Sequence, residues 1–172
     1  MDPTPRARAL DTIVLGGLTA GVLDILDAFV ISLVNGATPV RVLHAIASGA
    51  LGRAAYEGGV PAAALGLALH FVIATSAAAT YWLASLTLPI LLRRPVISGL
   101  LFGLAVWAFM YQVVLPITFG RAYVVPTLPQ LANQLAIHAL GVGLPIALIA
   151  SRSARMAAVS AARSDTPAGL SP

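Results

Sequence analysis

The sequence predicts an all-α polytopic membrane protein: four transmembrane helices, with an additional interfacial or re-entrant helix between the first and second, threaded N-in/C-in. Three observations carry this. Of 172 residues, 59% are apolar and 9% charged, against about 25% charged in a soluble domain. Mean hydropathy is +0.92. Four apolar runs, residues 12–34, 61–84, 96–119 and 128–150, each meet the ~20 residues that cross about 30 Å of hydrocarbon. Residues 1–152 therefore read as one helical bundle, and 153–172 as a basic cytoplasmic tail, disordered or membrane-skimming.

The first run follows Arg6 and Arg8, superficially like a secretory signal. It is longer than the ~7–15 residues of a signal core and lacks a clear cleavage site, so it is taken as the first span. It holds two acids, Asp24 and Asp27. An ionised carboxylate at the bilayer centre costs about 2.5–3.5 kcal/mol on insertion scales, so the pair requires partners. At ~100° per residue, Gly17, Gly21, Asp24 and Ala28 share one face, so Asp24 and the glycine groove address the same neighbour. Asp27 lies ~60° round from Asp24, within reach of like-charge repulsion.

Between the first two spans, Thr38-Pro39 is an N-cap with proline at the first helical position, and Gly58-Gly59 is a stop. A helix is predicted over 38–57. Arg41, His44, Ser48 and Gly52 share one of its faces, with Leu43, Ala47, Ala50 and Ala54 opposite. That pattern suits a helix lying on the outer leaflet or a re-entrant one lining a vestibule, with Arg41, His44, Arg53 and Glu57 as its polar residues. Arg53 and Glu57 stand four apart and can pair.

In the second run, His70 shares a face with Ala63, Gly66, Ala74, Ala77 and Tyr81, and Trp82 reads as an interface anchor. The third starts at Pro95 and offers Gly99-xxx-Gly103 for close packing; Trp107 reads as packing, with Tyr111 and Gln112 nearer the outer end. A Thr127-x-x-Gln130 capping box opens the fourth, where Gln134, His138, Gly141 and Pro145 share a face. Pro89, Pro116 and Pro145 predict kinks or early ends. With both ends inside, Arg6, Arg8, Arg93, Arg94, Arg152, Arg155 and Arg163 are cytoplasmic and Arg41, Arg53 and Arg121 external, as the positive-inside rule requires.

If each span is centred, Asp24, His70 and His138 lie near the midplane, with Asp27 about one turn further out. The polar cluster is thus Asp24, Asp27, His70, His138 and Gln134. One reading is a non-enzymatic membrane protein in which it binds or passes a proton or small cation, the aspartates titrating and the histidines assisting. A second is a membrane assembly or interaction subunit, its polar core purely structural. A third is a b-type haem protein with His70 and His138 as axial ligands. A fourth is a metal-dependent membrane enzyme using two His and a carboxylate. No cofactor is predicted and the metal question stays open. Absent cysteine excludes disulfides, thiolate nucleophiles and iron–sulfur ligation. No P-loop, HExxH, GxSxG or Rossmann pattern occurs, so the familiar soluble enzyme classes have no support.

The run IASGALGRAAYEGGVPAAALGLALHF, with LRRPVISGLLFG and VVLP later, resembles a group of small four-helix inner-membrane proteins of bacteria. The similarity extends from AGVLDILDA to the last span. It implies a bacterial inner-membrane location and four spans, and it brings no activity with it. The expected partners are the lipid bilayer and a homodimer or larger membrane complex, because one bundle this small encloses little volume. Nucleic acid is not among them: the arginines are spaced as topology signals.

Overall fold

A computed structural model describes residues 8–120 and 126–164. Arg6, Arg121 and the tail beyond residue 164 lie outside the described residues. Those described are overwhelmingly helical, with no strand among them. Four helices are long and apolar enough to cross a membrane: α1 (Asp11–Val34), α3 (Gly59–Thr87), α5 (Pro95–Phe119) and α6 (Leu128–Arg163). Two shorter ones intervene, α2 (Pro39–Leu51) after the first and α4 (Ile90–Arg93) after the second.

Local chemistry sets the boundaries. At the start of α2, Thr38 Oγ1 accepts a hydrogen bond from the Arg41 amide at 3.3 Å, and Pro39 occupies the first helical position. α6 opens with its capping box, in which the Thr127 amide donates to Gln130 Oε1 at 3.0 Å. Gly36 and Gly52, at φ +75° and +60°, turn the chain sharply at either end of α2. A short 3₁₀ turn, Gly52–Tyr56, then leads towards α3.

Two of the prolines sit beside widened turns, and the third ends a helix. Pro116 and Pro145 lie just beyond π-helical turns, Met110–Val114 in α5 and Ile137–Gly143 in α6, and both helices continue through them. Each proline lacks the N–H that would bond the carbonyl four residues back, and its ring crowds that carbonyl; a widened turn relieves both. Pro89 does mark an early end, since α3 stops at Thr87 and α4 begins at Ile90. A third π turn, Asp11–Gly16, opens α1 without a proline.

One half of the bundle is packed tightly through small residues. Ala20, Ala78, Tyr81, Val142, Ile146, Ala147, Ala150 and Ala154 form its core with Leu92. Tyr81 meets the Phe102 ring edge-on at 5.0 Å and donates its hydroxyl to the Leu91 carbonyl at 2.9 Å, anchoring the α3–α4 turn. Trp82 packs against this core. A methyl group on Gly99 would sit 2.9 Å from the Gly143 carbonyl oxygen, and one on Gly103 would run into the His138 carbonyl, so α5 and α6 cross nearly backbone to backbone. On α1, a methyl on Gly17 would lie 2.7 Å from Thr75 and one on Gly21 2.8 Å from the Phe71 ring.

α6 corrects the predicted tail. It runs for 36 residues, ~54 Å at 1.5 Å per residue, well beyond the hydrocarbon thickness. The Ser153–Ser164 stretch is helical because it alternates alanine, the strongest helix former, with arginine and serine. Ser153 also receives the Arg8 amide at 3.0 Å and donates to Asp11 Oδ2 at 2.8 Å, tying the start of α1 to α6. Val22, Leu26, Val30 and Leu33 form an exposed apolar stripe along α1.

Candidate functional site

Next to the alanine core the helices part around a cavity of about 820 Å³. It is bounded by the C-terminal half of α1, by α2, by part of α3, by the C-terminal half of α5 and by the N-terminal half of α6. Tyr111, His70 and His138 are among the residues that line it.

α2 lies against the opening and touches two spans. The Leu43 main chain rests on Gly66 of α3, where any Cβ would collide with it, and a methyl on Gly49 would lie 3.3 Å from Thr118 Cγ2 of α5. Ala47 is fully buried. α2 presents Val42, Ala45, Ile46, Ser48 and Gly49 to the cavity, and none of Arg41, His44, Arg53 or Glu57 lines it. Arg41 lies 5.7 Å over the Tyr56 ring, and His44 Nε2 contacts the Gly59 carbonyl oxygen at 2.9 Å. Arg53 and Glu57 are exposed and form no pair. The 3₁₀ turn explains this: at three residues per turn, positions four apart no longer stack.

Asp24, Asp27, His70, Gln134 and His138 all line this one cavity. The expectation of a buried cluster is corrected, however: all five residues are only partly buried. The depth argument places residues along a span but is blind to the parting of the helices.

Each member has a defined attachment. His70 Nε2 lies 2.8 Å from the Gly21 carbonyl oxygen, so that nitrogen carries the hydrogen and donates. In the neutral ring Nδ1 is then the acceptor. His138 is the mirror case: Nδ1 donates to the Gln134 carbonyl at 2.9 Å, one turn back, leaving Nε2 as acceptor. Gly103 seats the backbone of that π turn by admitting the His138 carbonyl. Asp27 Oδ2 accepts from Asn133 Nδ2 at 2.9 Å, and Trp107 Nε1 donates to Gln134 Oε1 at 3.3 Å. The Tyr111 ring meets His138 edge-on at 5.9 Å and stacks on Trp107 at 5.9 Å.

Sequence reasoning missed Asn133 as the partner of Asp27 and passed Tyr111 over as peripheral. The available signal was a second amide beside Gln134 in an otherwise apolar span.

The haem expectation does not suit these residues. His70 Nε2, the nitrogen an axial ligand presents, is committed to a main-chain carbonyl. For a metal site, no three His, Asp or Glu side chains among the described residues are grouped to hold an ion. No family model, curated protein or solved structure matches the chain.

Proposed function

We propose that the chain is an integral, multi-pass protein of the bacterial inner membrane, threaded N-in/C-in, whose cavity binds and passes a proton or small cation. Asp24 and Asp27 are the exchanging carboxylates, and His70 and His138 their partners. One observation carries the reading: two carboxylates and two imidazoles from three helices line a single cavity whose lining contains no arginine. Intramembrane groups of this kind mark ion sites and proton relays.

The chemistry follows from the attachments. Each imidazole has one nitrogen committed to a main-chain carbonyl, so its other nitrogen takes a proton without the ring turning. A proton on either ring is compensated by the neighbouring carboxylates. With the arginine-rich ends inside, the cavity opens from the outer half of the membrane and the alanine core closes the inner half. Passage therefore needs the core half to part, while binding does not.

Reconstitution tests this. Proteoliposomes carrying the chain should dissipate an imposed pH gradient faster than empty ones, and Asp24→Asn with Asp27→Asn should abolish the difference. Flux unaffected by both substitutions defeats the proposal. A second reading, an assembly subunit with a structural polar core, is favoured by the Asp27–Asn133 bond, which joins α1 to α6. Stoichiometric co-purification with other membrane proteins, with no flux from the isolated chain, would support it.

A further inference from the structure

The cavity is far larger than a proton or a bare ion requires. Its volume of about 820 Å³ compares with a share of about 30 Å³ for one water molecule and lies within the ~300–1,000 Å³ of sites that hold drug-sized molecules. Most of its wall is apolar, contributed by residues such as Ile31, Ile46, Ile73, Met110 and Val114. Its charged side chains are Asp24 and Asp27. Its formal charge is carried by these two carboxylates alone when the histidines are neutral, because no lysine exists in the chain and no arginine lines the wall. The nearest guanidinium that the structure ties to a wall residue, Arg41, lies over the Tyr56 ring. With the histidines neutral, the two carboxylates disfavour an anion, and a neutral apolar molecule would leave them without a counter-charge.

We infer that the cavity binds a monovalent organic cation, an ammonium or phosphonium ion with an apolar body, its charge at Asp24 and Asp27 and its body along α2, α3 and α5. This rests on the reading of the same cavity as a cation site and names the class of cation.

The test uses three probes of similar shape and different charge on the purified full chain in detergent, by equilibrium dialysis against protein-free micelles. Tetraphenylphosphonium should bind saturably, whereas triphenylphosphine oxide and tetraphenylborate should bind at least tenfold more weakly. Asp24→Asn should weaken phosphonium binding tenfold or more, and Asp11→Asn, outside the cavity, should leave it unchanged. Ala77→Phe, which fills the cavity without altering its charge, should also abolish binding; it covers the case in which Asp24→Asn fails to fold. Equal binding of the borate and the phosphonium, or phosphonium binding indifferent to both Asp24→Asn and Ala77→Phe, overturns the inference. Aspartate-dependent proton flux without phosphonium binding would refute the organic-cation assignment alone, whereas loss of both would refute the cation site itself.

Discussion

Asn133 joins α6 to α1, because its side-chain amide donates a hydrogen bond to Asp27. A hydrogen bond to a charged group contributes about 1.5–3 kcal/mol, and the partial exposure of both residues argues for the lower end. Asn133→Leu removes the donor and leaves the carboxylate facing an apolar side chain. The thermal unfolding midpoint of the detergent-solubilised protein should fall measurably, and the double variant Asn133→Leu/Asp27→Leu should recover part of the loss. An unchanged midpoint in the single variant would mean that the contact contributes nothing. Individual polar residues were legible in the sequence because a carboxylate or imidazole in an apolar run is conspicuous. Their partners were not: which amide meets Asp27 depends on the rotation of α6, and the π turn within α6 alters the rotation that regular helix arithmetic assumes.

At the level of elements, the account depends on glycines that place one helix against another. Gly16 and Gly103 make a controlled comparison. A methyl on Gly16 would sit 3.6 Å from Ile146, ordinary contact, whereas one on Gly103 would overlap the His138 carbonyl and press on Ala139. Gly16→Ala should therefore be neutral or stabilising by up to about 1 kcal/mol through helix propensity. Gly103→Ala should cost about 1–3 kcal/mol by overpacking. Thermal unfolding of both variants side by side reads the difference, and equal midpoints would contradict the close crossing of α5 and α6. The element boundaries were legible because proline, the Thr38 cap and the Thr127–Gln130 capping box each act within one turn. The π turns before Pro116 and Pro145 were not, since a missing N–H can be relieved by kinking, ending or widening a helix and the choice is made by packing. The helical Ser153–Ser164 stretch was misread because its polarity outweighed its alanine content.

At the scale of the whole molecule, composition alone pointed to a four-span bundle, because four apolar runs of sufficient length have few alternatives in a bilayer. The cavity was invisible at that level. It is lined by residues of several elements, and no single run records where they meet. Threading is testable without interference, since the chain has no cysteine. Ser160→Cys should resist a membrane-impermeant maleimide in intact cells and react in inverted vesicles, while Glu57→Cys should do the reverse; both reacting from one side would contradict N-in/C-in threading. The central claim is that Asp24 is a protonatable carboxyl lining an open cavity that receives cations. A hydrophobic carbodiimide, which attacks protonated carboxyl groups in apolar surroundings, tests it residue by residue when the adducts are located by mass spectrometry. The account predicts modification at Asp24, slower as pH rises and suppressed by bound cation. Absence of an adduct at Asp24, or an adduct that neither pH nor cation affects, would contradict it.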